Sequence, residues 1–422
     1  MNCHGIDPTE PDAPRASAAV DNLRGVVVLL VIAVHSVLAY ATHAVVNPWP
    51  FDKPPYLWRT FPVIDSHRFI GFDILCAWAN ICLMPLFFLV SGLFVWSSCE
   101  RNGAAHFAMR RIFRLGPPFV LGVALIMPIA TFPAYAERAV HPQLGDYLRQ
   151  LCALPFWPDG PMWFLWVLMT FDLLVAGLFA TSSRARNCVR RLAFLAGRTP
   201  FRFLAGFFVL SALAYIPLGS IFGPMRWFQW GPFSFQLNFI GLYLVYFGAG
   251  VVIGASGLER GLLEPRFAPR WKELLFAAAA LFLVWLLVSA KTFTAPAAST
   301  AWMLADAIAL VPACFSCCLC ALFLAMKFGR VRTPLLQSLQ ANAFGMYWVH
   351  YAVVTWLQFS LLAAPFPAVA KALLVFILGA TLSWTVAGAL RYVPIVNGVF
   401  GPSQRRPYIV AIALPPPLTL SD

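Results

Sequence analysis

Residues 24–35 read Arg-Gly-Val-Val-Val-Leu-Leu-Val-Ile-Ala-Val-His, an uncharged apolar run between an arginine and a histidine. In a helix that rises about 1.5 Å per residue, this stretch covers roughly 16 Å, or half of the hydrocarbon thickness of a bilayer. An ionisable residue at that depth is costly and marks a functional-site hypothesis. The stretch therefore predicts a membrane helix with Arg24 at one surface and His35 near the midplane.

The composition of the whole chain is that of a membrane protein. It has 422 residues, of which 60% are hydrophobic and 11% charged, whereas soluble proteins have about 25% charged residues. We expect an all-α polytopic protein with about ten transmembrane helices. The predicted spans are 23–42, 73–98, 117–133, 162–181, 201–221, 236–256, 272–291, 300–326, 342–363 and 366–390.

The distribution of basic residues predicts the orientation. With ten spans, 22 lysines and arginines fall on the side of the termini and 7 on the other side. The positive-inside rule then places both termini in the cytoplasm, and a bacterial inner membrane fits this arrangement. Topology accounts for the net charge of +13, so we expect the lipid bilayer, and no nucleic acid, as the partner of these charges.

The termini and the cysteines give further expectations. Residues 1–20 and 401–422 are expected to be flexible cytoplasmic tails that flank a ten-helix domain over 21–400, and no secretory signal is visible. The cysteine cluster at 314–320 is predicted to be a set of small buried residues on one helix. We expect no metal site and no disulfide framework.

His35 and His350 are the two intramembrane histidines. One reading is an interhelical hydrogen bond that only stabilises the bundle. The other is a general base, because an imidazole takes a proton from an alcohol and returns it to a leaving group. A transporter or flippase that uses both histidines as a proton relay is the alternative from a different functional class.

Several arginines are predicted at the inner surface. Arg24 either extends its head group to the lipid or binds an anionic phosphate, and Asp21 is a candidate N-cap of its helix. Arg111 and Arg114 share one face if their segment is helical, and so could clamp one phosphate group. Anchoring at the cytoplasmic surface is the competing explanation.

Three further residues are possible substrate or supporting groups. Ser91 precedes a glycine in the second span, where close approach of two helices is the simpler explanation. Trp163 opens the fourth span, and Tyr347 lies three residues before His350. Neither a GxxxxGK[ST] loop nor a GxSxG elbow occurs, so ATP-driven transport and serine-hydrolase chemistry lack support.

Five motifs, in this order and spacing, resemble the membrane-bound acyltransferase family 3. They are D-x-x-R-G-x9-H at 21–35, FFLVSG at 87–92, RRIFRLGPP at 110–118, MWFLW at 162–166 and YWVHY at 347–351. Within the family the layout looks most like the glucan biosynthesis protein C branch, which is glucan succinyltransferase-like.

The resemblance implies an O-acyltransferase with no permanently bound cofactor. An acyl group would pass from cytoplasmic acyl-CoA to a hydroxyl of a carbohydrate or glycan in the cell envelope. His35 would be the catalytic residue, and Arg24, Arg111 and Arg114 would bind the donor. A non-catalytic scaffold for glycan assembly is a further alternative.

Overall fold

The computed structural model describes residues 15–44, 49–257, 263, 270–294 and 299–392. Within these ranges the chain is predominantly helical, as predicted. The predicted tails lie outside the described residues, except that the first helix already begins at Arg15. The helices are α1 (Arg15–Val37), α2 (Ile70–Gly92), α3 (Val95–Asn102), α4 (Ala104–Leu121), α5 (Met127–Ala136), α6 (Leu144–Cys152), α7 (Trp163–Thr181), α8 (Ser183–Arg198), α9 (Pro200–Phe222), α10 (Ile240–Ser256), α11 (Trp271–Thr294), α12 (Thr300–Phe328), α13 (Pro334–Ser360) and α14 (Ala368–Leu390).

Each predicted span contains a helix. Among the described residues, 8 helical segments are long and apolar enough to cross a membrane. The two remaining intervals hold α10, which is apolar but shorter, and α13, which has 27 residues and more polar side chains. A multi-pass membrane protein is therefore supported, whereas ten crossings and cytoplasmic termini stay predictions.

The third span remains one helical segment, Ala104–Ala136, although prolines interrupt its sequence. A π-helical turn over Gly122–Ile126 joins α4 to α5. In that pattern the carbonyl of Val123 would need an N–H from residue 128, which is a proline. The indole of Trp157 donates to this carbonyl instead, at 2.8 Å.

A second indole satisfies the carbonyl left free by Pro133. This proline cannot donate to Ile129, the residue four positions earlier. Trp356 from α13 donates to the Ile129 carbonyl at 2.9 Å. Neighbouring side chains thus satisfy the backbone polar groups, as the membrane interior requires.

A β-hairpin, which the sequence analysis did not predict, fills the connection before α10. Strand β1 (Trp227–Trp230) pairs antiparallel with β2 (Phe233–Gln236), and Gln229 lies opposite Ser234. The predicted start of the sixth span at residue 236 was therefore wrong, since α10 begins at Ile240. Two short aromatic-rich runs separated by Gly231 and Pro232 are a hairpin signal.

Glycines allow α2 and α10 to touch backbone to backbone. A Cβ added at Gly250 would lie 2.1 Å from the Leu89 carbonyl oxygen, and one at Gly92 would lie 2.2 Å from that of Phe247. The glycine after Ser91 therefore serves close helix packing, which is the simpler of the two readings of this motif.

The cysteines of α12 point to different neighbours. Cys314 lies 3.3 Å from the Tyr246 hydroxyl, and Cys318 lies 3.4 Å from the Cys82 carbonyl. All four cysteines of the cluster are buried free thiols, which agrees with their predicted role in packing.

Lys371 and Asp65 form a buried ion pair. The Lys371 ammonium lies 2.6 Å from Asp65 Oδ2, and neither side chain is exposed to solvent. Lys371 also donates to the Leu362 carbonyl at 3.1 Å. The pair attaches the loop after α1 to α14.

Candidate active site

The two intramembrane histidines meet at the centre of the bundle. His350 Nε2 on α13 lies 3.4 Å from His35 Nδ1 on α1, and the ring centroids are 5.0 Å apart. His350 is fully buried, whereas His35 is half-buried. His35 is therefore the less buried residue of the pair.

The hydrogen bonds indicate which nitrogen of His35 is basic. His35 Nδ1 lies 2.8 Å from the Val31 carbonyl oxygen, and His350 Nδ1 lies 2.5 Å from that of Tyr347. A carbonyl only accepts, so each Nδ1 carries the proton when the rings are neutral. His350 Nε2 then accepts from His35 Nδ1–H, and the lone pair of His35 lies on Nε2.

Further contacts fix the end of α1 that carries His35. Gln358 of α13 donates its amide to the carbonyls of His35 and Ser36, at 2.8 and 3.2 Å. The Ser36 hydroxyl donates to Ile32 and is fully buried, so Ser36 is a packing residue. Tyr351 presents its ring edge-on to His35, with the centroids 5.2 Å apart.

A group of charged side chains surrounds Arg24, which lies on α1 roughly 16 Å from His35 along the helix. Its guanidinium lies 4.4 Å from the centre of the Phe94 ring and 4.0 Å from an Asp21 carboxylate oxygen. The prediction that Asp21 is an N-cap was wrong. The alanine-rich segment before it favours helix, so α1 begins six residues earlier, at Arg15.

Arg111 and Arg114 lie on α4, so the condition under which they share one helix face is met. Arg111 Nε lies 3.2 Å from Asp172 Oδ2 of α7. Arg24 interacts electrostatically with Arg111, Arg114 and Asp172. The three predicted arginines therefore form one cluster.

Asp172 is the functional candidate that the sequence analysis missed. It is fully buried in α7 and provides the carboxylate that holds Arg111. A single acid in an apolar span is a signal that could have identified it, since such residues are costly in hydrocarbon.

Two of the predicted supporting residues lie apart from the histidines. Trp163 is buried against Tyr243 and Trp227, with ring centroids 5.7 and 5.8 Å apart. Ser91 is buried in α2 at the packed α2–α10 contact. Tyr347 does belong to the histidine site, since its ring lies 5.6 Å from that of His350.

The end of the site next to Tyr347 contains an acid and an arginine. The Ser234 hydroxyl donates to Asp159 Oδ2 at 2.6 Å, and Arg59 donates to the Gln229 side chain. Burial raises the pKa of Asp159 to about 7, against the opposing effects of the Ser234 hydrogen bond and the Arg59 charge. Desolvation lowers the pKa of Arg59, whereas the charge of Asp159 raises it.

The chain that carries this site matches a known protein family over most of its length. A family model described as an acyltransferase domain, that of acyltransferase family 3, matches residues 17–388. The chain belongs to acyltransferase family 3. No curated protein and no solved structure matches it. Family membership supports a membrane-bound acyltransferase.

Proposed function

We propose that this family 3 protein is an O-acyltransferase that transfers an acyl group from cytoplasmic acyl-CoA to a hydroxyl of a carbohydrate or glycan. The observation that carries the proposal is the His35–His350 pair, which leaves His35 Nε2 as a free base. Imidazole is the side chain best suited to exchange a proton near neutral pH.

The arginine cluster would bind the donor. Guanidinium groups pair with phosphate oxygens through two parallel hydrogen bonds, and CoA carries several phosphates. The cluster is formed by Arg24 on α1 and by Arg111 and Arg114 on α4. These arginines are close enough to interact electrostatically. The rise from Arg24 to His35, roughly 16 Å along α1, is short enough for the pantetheine arm of CoA to span.

The transfer follows from the free nitrogen of His35. Nε2 takes the proton of the acceptor hydroxyl as its oxygen attacks the thioester carbonyl. The imidazolium then holds a proton on each nitrogen, and its Nδ1–H is stabilised by the Val31 carbonyl and His350 Nε2. The C–S bond breaks, and the Nε2 proton passes to the departing CoA thiolate.

The acceptor and the membrane follow from the resemblance to the glucan-modifying branch. A glycan on the outer side of a bacterial inner membrane would meet His35 from the end of α1, while the thioester arrives from the arginine side. A proton-coupled transporter would also use two adjacent histidines, but family membership favours group transfer.

The experiment is release of CoA from acyl-CoA by the purified full-length protein in nanodiscs. His35→Ala is expected to lower the rate by a factor of about 10² or more. The matched control is His106→Ala, because His106 is exposed at the start of α4. An unchanged rate for His35→Ala at wild-type expression would reject the proposal.

A further inference from the structure

The segment Asp159-Gly160-Pro161 lies directly against the tyrosines that flank the histidine pair. The Tyr347 hydroxyl donates to the Pro161 carbonyl. A Cβ at Gly160, which has a φ of +44°, would lie 3.3 Å from the ring of Tyr351. Two consecutive residues of this turn therefore lie beside tyrosines whose rings neighbour the histidines.

Two charged side chains converge at this turn. Arg59 interacts electrostatically with Asp159 and Tyr351. Asp159 in turn interacts electrostatically with Tyr347. The guanidinium of Arg59 also lies 4.3 Å from the centre of the Phe156 ring. Asp159 is buried, whereas Arg59 is half-buried and retains access to solvent.

The β-hairpin supplies the partners of both charges. Gln229 accepts from Arg59, and Ser234 donates to Asp159. These two residues lie directly opposite each other in the hairpin, so their side chains share one face. Trp227 lies on that same face, two residues before Gln229, and is 36% exposed.

We infer that Arg59 and Asp159 determine acceptor specificity, because they bind two hydroxyls of the carbohydrate acceptor and orient it toward His35. This inference rests on the proposed function. A guanidinium donates hydrogen bonds to hydroxyl oxygens, and a carboxylate accepts hydrogen bonds from hydroxyl groups. Together they can bind two hydroxyls of one sugar ring. The partly exposed indole of Trp227 offers a face on which that ring can pack.

The contacts with Tyr347 and Tyr351 connect the bound sugar to the histidine pair. A sugar held by Arg59 and Asp159 presents a third hydroxyl past Tyr351, whose ring is in contact with His35. A monohydric alcohol or water reaches His35 without these contacts. Loss of the pair should therefore reduce transfer to sugars selectively and leave the reaction at His35 intact.

The test compares two acceptors in the same preparation of full-length protein in nanodiscs. The donors are acetyl-CoA and succinyl-CoA, and the acceptors are methyl β-D-glucopyranoside and propan-1-ol. In assays at about pH 8.5, where Asp159 is ionised, Arg59→Gln and Asp159→Asn are each expected to raise the KM for the glycoside about tenfold, as for loss of a charged hydrogen bond. The rate with propan-1-ol should stay at the wild-type value, which also shows that the variants fold.

Arg149→Gln is the matched control, because Arg149 is an exposed arginine paired with Asp146 on α6. Equal losses with both acceptors, or no loss with either, would overturn the inference. Transfer by the wild type to propan-1-ol but not to the glycoside would also overturn it. Absence of any His35-dependent release of CoA would instead reject the proposed function itself.

Discussion

Asp172 Oδ2 lies 3.2 Å from Arg111 Nε, and this acid has no surface exposed to solvent. A buried carboxylate beside an arginine holds the guanidinium in one position, and removal of one partner leaves the other charge uncompensated. Asp172 is therefore a positioning residue for the arginine cluster.

Replacement of Asp172 by Asn should weaken donor binding. We expect the KM for acyl-CoA to rise about tenfold, because Arg111 loses the carboxylate of its ion pair, while kcat changes little. Asp172→Glu should restore part of the affinity. Arg190→Gln, which breaks the exposed Arg190–Glu100 pair, is the control. A lower melting temperature with an unchanged KM would assign Asp172 a purely structural role.

The His350 side chain should act on kcat through His35. His350→Phe keeps a ring but removes one of the two acceptors of His35 Nδ1–H and leaves the Val31 carbonyl, so we expect kcat to fall about tenfold with an unchanged donor KM. His350→Gln retains an acceptor and should recover part of the rate. Steady-state kinetics and the pH profile of kcat measure this, and equal rates for His350→Phe and wild type would contradict it.

Stability should depend on pH through Asp159, whose pKa is raised to about 7 by burial. Between pH 4 and 7 the unfolded chain releases this proton while the folded protein keeps it, so stability falls as pH rises through this window. For a pKa shift of this size, the free energy of unfolding falls by about 4 kcal/mol across this pH window. Arg59, whose charge acts on this carboxyl, does not titrate there.

Asp159→Asn removes this titration. The melting temperature of the variant should therefore change less than that of the wild type between pH 4.5 and pH 7.5. Thermal denaturation of both proteins at the two pH values measures the effect. Identical pH dependence in both would show that Asp159 titrates near its ordinary pKa.

The α2–α10 contact should not tolerate a methyl group at Gly250. The added Cβ would lie 2.1 Å from a backbone oxygen, which cannot rotate away. We expect Gly250→Ala to destabilise the protein by about 1–3 kcal/mol, the usual range for overpacking. Gly248→Ala is the matched control, since its Cβ meets nothing within 4 Å. Equal melting temperatures for the two variants would contradict the close approach.

The Lys371–Asp65 pair should show strong coupling in a double-mutant cycle. Lys371→Met or Asp65→Asn alone should cost about 3–5 kcal/mol, because each leaves a charge buried without its partner. The double variant should be more stable than the sum of the two losses predicts. Additive losses, measured by thermal unfolding in detergent, would show that the two charges do not interact.

Much of this architecture was accessible from sequence because the membrane imposes it. Apolar length placed a helix in every predicted interval, and the spacing from Arg24 to His35 placed the two residues on one helix. The pairing of His35 with His350 was not accessible, because the residues are 315 positions apart and only helix packing brings them together.

The missed features have local physical causes. Asp172 was missed because a single acid inside the fourth span has no motif around it, and its significance depends on Arg111 of another helix. The hairpin was missed because each of its strands has only 4 residues, which is too short for a clear periodic pattern. The start of α1 was placed too late because Asp21 resembles a cap, although the residues before it continue the helix.

The ion pair between α14 and the loop after α1 also bears on how the protein is made. Asp65 precedes Lys371 by 306 residues, so the ribosome delivers the acid long before the base. Insertion of a lysine into hydrocarbon without a counter-charge is unfavourable. When Lys371 is inserted, Asp65 has already been synthesised and can pair with it. The helix α14, the last one in the part of the chain that the structure describes, therefore docks most favourably on a nascent chain whose loop after α1 is already in place.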